Sequence, residues 1–439
     1  MSAFALDPQQ RQWCATLRTV AADQLRPLAE RGAPGRVNRP LVAALGELGL
    51  LRRLFPTATA EPGAEPGAGA AADPGAEPKG DAGVEAEPGP GVRAGEGAGG
   101  GPSAARALDL CLLRESLATQ CAEAETALAL QALGCYPVVQ SGTAEQRARW
   151  LPEVIAGRAV AAYALSEPAA GSDAAALTLA ARPVGPAHPT HATAPEAATG
   201  TATATGVASW ELTGEKCWIS NAPEADFYTV FARTTPGAGS RGITAFLVPA
   251  DRPGLGGEPL EMLSPHPIGR LTFDAVPVTR ADVLGEVDAG FKVAMRTLNL
   301  LRPSVGAFAV GMAQRALDLA LAHARERTAF GGPLRDLQAV SHQLAEMATR
   351  TEAARLLVYA AASAYDSGQP DIARRSAMAK LLATETAQYV VDAAVQIHGA
   401  RALERGHPLE HLYREVRAPR IYEGATEVQR TIIAKELYR

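Results

Sequence analysis

The spacing of apolar residues predicts helices at both ends of the chain and strands between them. Helical spacing covers three early segments, at residues 7–31, 40–51 and 104–156. Asp7 is placed to cap the first of these helices, and Pro8 suits its first turn. The helical period returns at residue 290 and lasts to the end of the chain.

Between these helical regions the pattern changes to short runs of alternating polar and apolar residues. These runs predict four strands, at residues 207–211, 226–232, 242–248 and 271–276. The final region contains three Ala-rich segments long enough for bundle helices, at residues 302–325, 337–367 and 371–398. The predicted fold class is therefore α+β and multidomain, with an N-terminal all-α domain at 1–158, a small β domain at 159–284 and a helical bundle at 285–439.

Two segments have low complexity. Residues 57–101 are almost entirely Gly, Ala, Pro and Glu, and residues 183–206 are rich in Thr, Ala and Pro. Such segments have too few apolar side chains to offset the entropy lost on ordering. Both are predicted to be surface loops, and the first to be disordered.

Composition narrows the possible classes of protein. The 439 residues are 47% hydrophobic, which is enough for sizeable cores. The net charge of -5, with both signs mixed along the chain, argues against binding nucleic acid or an anionic membrane through bulk charge. The five cysteines lack metal-ligand spacing and fit reduced thiols, so no metal is expected and the cytoplasm is favoured. The first residues do not resemble a signal peptide, and no uninterrupted apolar run has the length of a membrane span.

A short polar break near the end of the chain holds the strongest candidate for chemistry. It reads Arg-Ile-Tyr-Glu-Gly-Ala-Thr-Glu, with Glu423 followed by Gly424. A carboxylate beside a glycine, where backbone can approach a ligand closely, is a plausible general base.

Two distant motifs strengthen this interpretation. One is Tyr-Ala-Leu-Ser-Glu-Pro-Ala-Ala-Gly-Ser-Asp at 163–173, and the other is Gly-Glu-Lys-Cys-Trp-Ile-Ser-Asn at 214–221. Their order and spacing, together with Glu423, resemble the acyl-CoA dehydrogenase family. The resemblance covers almost the whole chain apart from the two low-complexity segments. It implies a helical domain, a β domain and a C-terminal four-helix bundle, with FAD as cofactor.

Several residues would contact FAD by this resemblance. Small residues and hydroxyls suit close contact with a flat ring. In the first motif these are Tyr163, Leu165, Ser166 and Ser172. In the second, Trp218 would stack near the ring and Ser220 would bond to it, although a tryptophan on a strand is more often a core residue.

Further residues would meet the FAD of a neighbouring subunit. They are Arg327, Phe330, Gln396 and Gly399, and Gln338, Thr426 and Glu427 complete the expected cofactor contacts. An arginine fork suits a pyrophosphate, although an arginine at a helix end is commonly solvated. His398 is favoured as a structural residue that bonds a carbonyl at a helix end. This implies a homo-oligomer, a tetramer or a dimer, and the family's electron acceptor would be an electron-transfer flavoprotein.

The substrate contacts implied by the resemblance are Ser172, Asn299, Arg302 and Gly424. Arg302 is expected to start the first bundle helix and to help hold Glu423 ionised. Some members of the family carry the base on that helix, but the corresponding residue here is Leu301, which cannot accept a proton. Glu423 is therefore the expected base, and its backbone N–H would polarise the thioester carbonyl.

The implied reaction is α,β-dehydrogenation of an acyl thioester, from acyl-CoA to trans-2-enoyl-CoA, with hydride transfer to the flavin. Three alternatives stay open at this point. The acyl group could be carried by an acyl carrier protein, as in secondary metabolism, because Asn299 stands where a CoA contact is expected. The enzyme could be an acyl-CoA oxidase. Finally, the protein could bind flavin without catalysis, which Glu423 argues against.

Overall fold

The computed structural model describes residues 6–55, 106–184 and 209–438. The predicted loop at 57–101 lies outside the described residues, as does most of the loop at 183–206. All statements about structure below concern the described parts of the chain.

The first helical region is confirmed, with more breaks than the sequence pattern predicts. Asp7 caps the first helix as expected, because its carboxylate accepts from Gln10 N at 2.8 Å and its own N–H donates to the Gln10 side chain at 3.0 Å. The segment predicted at 40–51 is two helices, since Gly49 adopts a left-handed φ of 69° between them. The helices of this region are α1 (Pro8–Val20, continued by a π-helical turn at Ala21–Leu25), α2 (Arg26–Ala29), α3 (Arg39–Glu47), α4 (Leu50–Leu54), α5 (Ala107–Ala118), α6 (Ala122–Ser141) and α7 (Ala144–Ile155).

The middle region is a mixed sheet of eight strands. The alternating pattern located the long strands, and it missed four short ones whose residues alternate little. The strands are β1 (Ala161–Ala164), β2 (Ala180–Pro183), β3 (Ser209–Ser220), β4 (Phe227–Arg233), β5 (Ile243–Pro249), β6 (Leu255–Pro259), β7 (Ile268–Thr279) and β8 (Val283–Leu284). Their order is β6-β7-β3-β2-β4-β5-β8, and β1 pairs with β4 in parallel.

The last region is helical, as predicted. A hairpin of two short strands, β9 (Thr328–Ala329) and β10 (Gly332–Pro333), follows its first helix. The helices are α8 (Gly290–Glu326), α9 (Gln338–Asp366), α10 (Ile372–His398), α11 (Pro408–Glu415) and α12 (Thr426–Leu437).

Arg302 does not start the first bundle helix, so that prediction is wrong. Helix α8 begins at Gly290, and both Arg302 and Pro303 lie in its interior. An interior proline costs a helix about 3 kcal/mol. Residues around it, from Leu300 to Ala313, are all buried, and this packing outweighs the local cost.

Helix α8 is the common core element of the two helical regions. It packs against α5 at Gly311, where an added Cβ would lie 2.6 Å from the Cβ of Ala118. By length and composition α8 could cross a membrane, but 67% of its most apolar 18-residue window is buried inside the protein. That burial is the property of a core helix.

Candidate active site

Glu423 lies in a tight turn between a short 3-10 turn at Ala418–Arg420 and helix α12. Its backbone has a left-handed φ of 51°, and Gly424 follows with a φ of 99°. The φ of Gly424 favours glycine, and a Cβ there would also displace the side-chain amide of Gln429, whose Nε2 would lie 2.3 Å away. The turn is held from two sides, because Lys380 Nζ and Gln429 Nε2 donate to the Gly424 carbonyl at 2.7 and 2.8 Å.

The carboxylate of Glu423 is oriented into the protein. Its Oε2 is buried and has no hydrogen-bond partner among the described residues. Burial raises the pKa of Glu423, and the cations Arg114, Arg302 and Lys380 oppose that rise. A carboxyl with a raised pKa and a free oxygen is suited to accept a proton near neutral pH.

Arg302 supports the turn as well as the charge. Its Nε donates to the backbone carbonyl of Glu423 at 3.3 Å, and its Nη1 donates to Asn299 Oδ1 at 3.1 Å. The direct contact of Arg302 is thus with the backbone of Glu423, and its positive charge lowers the pKa of the carboxyl, as expected of a residue that helps to hold the base ionised. Asn299 orients Arg302 in this structure.

The two distant motifs of the sequence meet side by side. Cys217 N donates to Ser166 O at 3.0 Å, and Lys216 Nζ donates to Leu165 O at 2.9 Å. Lys216 also forms a 2.8 Å ion pair with Glu167, and both side chains are buried. These contacts fix the backbone of the first motif against strand β3.

Trp218 is not a core residue. Its side chain is 48% exposed and its φ is 58°, a left-handed conformation that is strained for a bulky residue. Ser220, two residues further along β3, and Ser166, whose carbonyl accepts from Cys217 N, are partly exposed, and Ser172 is exposed on the loop after β1. An exposed indole and hydroxyls presented by two joined segments fit a flat aromatic ligand.

Tyr163 links this surface to the base. Its ring is buried on β1, and its hydroxyl donates to Ala294 O on α8 at 3.4 Å. Burial raises the pKa of Tyr163; the negative charge of Glu423 raises it further, and the positive charge of Arg302 opposes the rise. The structure therefore brings the first motif, α8 and the Glu423 turn together.

The remaining expected FAD contacts are exposed and lie after the end of α8, at the start of α9 and at the end of α10. Arg327, Gln338, Gln396 and Gly399 are all exposed, and Phe330 is 92% exposed with a φ of 51°. The two helix ends are joined where His323 of α8 stacks on His398 of α10, with ring centroids 4.2 Å apart. His398 Nδ1 donates to Ala394 O at 2.8 Å, which confirms its structural role at the helix end.

Two of the predicted cofactor contacts differ in accessibility. Thr426 is buried, and its hydroxyl donates to Glu385 Oε1 at 2.8 Å, so its side chain stabilises the start of α12. Glu427 is exposed on the first turn of that helix.

Four residues of the site were missed from sequence. Lys380 is fully buried on α10, and burial lowers its pKa to about 8 while Glu423 opposes the shift. Arg114 and Glu125 are buried near the base, and the charges of both act on the pKa of the neighbouring Tyr422. The signal for Lys380 is a lysine among the small and apolar residues Ser376–Ala383 of α10, and such a signal rarely identifies a site.

The residues present fit a flavin. The unpartnered Oε2 of Glu423 is the orphaned buried atom that a bound reactant would face. Trp218 is exposed, and a Cβ at Gly171 would meet nothing within 4 Å, so open space adjoins both motifs.

Family models match nearly all of the region from residue 90 onward. They are the N-terminal, middle and C-terminal domains of acyl-CoA dehydrogenase, at residues 90–158, 162–276 and 288–438. A cyclohexane-1-carbonyl-CoA dehydrogenase of Geobacter metallireducens is 34% identical over 343 residues, which is 77% of this chain and 84% of that protein.

Two solved structures are similar over the whole fold. Butyryl-CoA dehydrogenase from Megasphaera elsdenii has a TM-score of 0.79 and 28% identity, over 99% of this chain and 100% of that one. PigA with FAD and proline has a TM-score of 0.79 and 25% identity, over 99% of each chain.

Proposed function

This chain belongs to the acyl-CoA dehydrogenase family, and from that premise we propose that it desaturates the Cα–Cβ bond of an acyl thioester with Glu423 as the general base. It is an oxidoreductase that acts on CH–CH groups, and FAD is its cofactor. When bound, FAD supplies the acceptor for the hydrogen and electron pair that leave Cβ.

The observation that carries this proposal is the free Oε2 of Glu423. It is the acceptor for the proton that leaves Cα, and its raised pKa brings the carboxyl closer to the working pH. Arg302 and Lys380 fix the turn through the backbone carbonyls of Glu423 and Gly424, so the carboxylate keeps one orientation. The backbone N–H of Glu423 is proposed to donate to the thioester carbonyl, which makes the α proton more acidic.

The residues proposed to hold FAD form the two groups described above. Tyr163, Leu165, Ser166, Ser172, Trp218 and Ser220 belong to this subunit's own site. Arg327, Phe330, Gln396 and Gly399 are proposed to contact the FAD of a neighbouring subunit, because they are exposed and the ends of α8 and α10 that carry them are joined by the His323–His398 stack. Gln338, exposed at the start of α9, is a further proposed FAD contact. The active form would then be a homo-oligomer.

The experiment that tests the reaction is an anaerobic titration of the purified holoenzyme. Acyl thioesters on CoA and on an acyl carrier protein are added, and bleaching of the flavin absorbance is followed. We expect acyl-CoA to bleach the flavin, while bleaching by the carrier-bound thioester alone would assign the substrate to the carrier-protein class. If no thioester reduces the flavin, the proposed reaction is wrong.

The electron acceptor is proposed to be an electron-transfer flavoprotein. A stopped-flow comparison of reoxidation by electron-transfer flavoprotein and by O₂ distinguishes a dehydrogenase from an oxidase. Faster reoxidation by air-saturated buffer would identify an oxidase. All five cysteines are free and buried, which supports a proposed location in a reducing compartment such as the cytoplasm.

A further inference from the structure

A second buried carboxylate lies near the base. Glu125, on α6, is 1% exposed, and one of its oxygens pairs with Arg114 Nε of α5. Arg114 Nη1 donates to Ser304 Oγ of α8 at 2.7 Å. The other oxygen of Glu125, Oε2, is buried and has no partner among the described residues. A buried acceptor left unpaired costs about 1–3 kcal/mol in general, so it requires an explanation.

This pair borders the same buried site as Glu423. Ser304, which Arg114 contacts, lies two residues beyond Arg302, whose Nε bonds to the Glu423 carbonyl. The charge of Arg114 acts on Glu423, and the charges of Glu125 and Glu423 act on each other. Tyr422, next to the base, interacts with both members of the pair. Two unpartnered carboxylate oxygens, one on each residue, therefore belong to one buried region.

We propose, on the basis of the proposed function, that Glu125 Oε2 accepts a hydrogen bond from the acyl group of the substrate. The preferred substrate would then be an acyl thioester whose acyl chain carries an uncharged donor, a hydroxyl or an amide N–H. Glu423 performs the proton transfer, and Glu125 selects the acyl group.

The charges around Glu125 favour an uncharged donor over the other classes of acyl group. Arg114 pairs with Glu125, and His266, whose charge also acts on Glu125, pairs with Glu415. Around the neighbouring Glu423, Arg302 and the partly charged Lys380, whose pKa is about 8, together outweigh the single negative charge of the base. An ammonium group would therefore enter a region with excess positive charge, and a carboxylate would face the oxygen of Glu125. A plain alkyl chain would cover the acceptor and leave it unpaired. A hydroxyl or amide N–H satisfies the acceptor without adding charge.

The protonation state of Glu125 sets the assay conditions. Burial raises the pKa of Glu125 to about 7, and Arg114 opposes that rise. The ionised form, which can only accept hydrogen bonds, therefore predominates at pH 8. Measurements at pH 8 test the acceptor role without interference from the protonated form.

The test compares substrates that differ by one hydroxyl in place of one methyl. Three pairs vary the distance of the donor from the thioester: 4-hydroxybutyryl- against valeryl-CoA, 5-hydroxyvaleryl- against hexanoyl-CoA, and 6-hydroxyhexanoyl- against heptanoyl-CoA. We expect at least one hydroxylated substrate to exceed its methyl partner in kcat/KM by about 10-fold or more. 6-Aminohexanoyl-CoA and adipyl-CoA serve as the charged comparisons and should both be poorer than 6-hydroxyhexanoyl-CoA.

A paired substitution tests the residue itself. Removing Glu125 alone would leave Arg114 as an unpaired buried cation, so Arg114→Met and Glu125→Leu are combined to keep an apolar, filled site. The ratio of kcat/KM for hydroxylated over methyl substrate should fall to about 1 or below in this variant. The ratio does not depend on the fraction of active enzyme, and flavin content reports whether the variant folds. The wild-type ratios test the proposal even if the variant does not fold.

The outcomes separate this proposal from the proposed function. If no thioester reduces the wild-type flavin, the proposed function fails. If thioesters do reduce it but every methyl partner is preferred, or the amine is preferred to the hydroxyl, the assignment of Glu125 is wrong and the reaction stands. The assignment also fails if the paired substitution folds and leaves the wild-type preference unchanged.

Discussion

At the scale of single residues, the site combines buried charge with backbone strain. Trp218, Phe330 and Glu423 are three of the six described non-glycine residues with positive φ. Such conformations cost about 1–3 kcal/mol each and persist where surrounding structure enforces them. The strain at Glu423 is enforced by Lys380, Gln429 and Arg302, which all bond to the carbonyls of the turn.

The first prediction concerns the base. Glu423→Gln keeps the shape of the side chain but cannot accept the α proton. The variant should retain FAD and lose thioester-driven flavin reduction by about 10²-fold or more, the low end of a general-base contribution. Single-turnover flavin bleaching measures this loss. Near-normal reduction by the variant would remove Glu423 from the mechanism.

The second prediction concerns the pH dependence set by Lys380. The charge of Lys380 opposes the raised pKa of Glu423, and because the pKa of Lys380 is about 8, that charge is present at neutral pH. Lys380→Met should raise the pKa of Glu423 further, so the acidic limb of the kcat/KM profile should move to higher pH by about 1 unit. The Gly424 carbonyl keeps its bond from Gln429 in this variant.

A matched control for Lys380 lies one turn along the same helix. Thr384 is also fully buried, and its hydroxyl bonds to Lys380 O within α10. Thr384→Val removes a buried polar group without removing a charge, so the acidic limb should stay where it is. An unchanged limb in Lys380→Met, or a shift to lower pH, would show that Lys380 does not tune the base.

At the scale of elements, one buried ion pair joins the two sequence motifs. Lys216 on β3 and Glu167 after β1 are 2.8 Å apart, and Glu167 also accepts from Thr178 N and Leu179 N at 2.6 and 2.9 Å. The pair therefore fixes the loop that is proposed to contact FAD. Without the ion pair, the hydrogen bond from Cys217 N to Ser166 O would still hold the loop to strand β3.

The third prediction follows from the burial of this pair. Lys216→Met leaves the Glu167 carboxylate buried without its counter-charge, which should lower the free energy of unfolding by about 3–5 kcal/mol. Arg270→Met, on the neighbouring strand β7, breaks two exposed ion pairs, with Glu215 and Glu258, and should cost about 1 kcal/mol or less. Denaturant unfolding of the FAD-free proteins measures both changes. Equal losses in the two variants would contradict the role of Lys216.

Sequence reasoning recovered the elements with strong periodicity and missed those set by tertiary contacts. The bundle helices at 337–367 and 371–398 agree with α9 and α10 within a residue. Strand β1 was missed because its four residues, all buried, show no alternation. The start of α8 was placed twelve residues late, because the local signal of Pro303 is weaker than the packing of the buried segment around it.

The candidate site was predictable only where its residues are contiguous in sequence. Glu423 and the motifs around Ser166 and Trp218 were identified from short patterns. Lys380 and the Arg114–Glu125 pair come from three separate helices, and their approach to Glu423 depends on how α5, α6 and α10 pack. No spacing along the chain encodes that packing.

At the scale of the whole molecule, the structure separates a buried reaction site from an exposed set of proposed cofactor contacts. Glu423 Oε2 is buried, whereas Arg327, Phe330, Gln396 and Gly399 are exposed at the joined ends of α8 and α10. A phenylalanine that is 92% exposed with a strained backbone is unusual on a free surface. A second subunit that covers it would account for both properties.

The last prediction tests this assembly. Phe330→Asp places a charge where a subunit contact is proposed, so the variant should dissociate to a smaller species and lose FAD in the same step. Light scattering gives the mass, and the ratio of flavin to protein absorbance gives the cofactor content.

Leu263→Asp is the matched control, because Leu263 is 61% exposed on the loop between β6 and β7, away from these helix ends in sequence. This variant should keep both mass and FAD. In Phe330→Asp, dissociation and loss of FAD should occur together. A residue that only stabilised its own subunit would not link the two. A wild-type holoenzyme that runs as a monomer with full flavin content would contradict the assembly outright, and a Phe330→Asp variant that dissociates yet keeps FAD would remove Phe330 and its neighbours from the cofactor site.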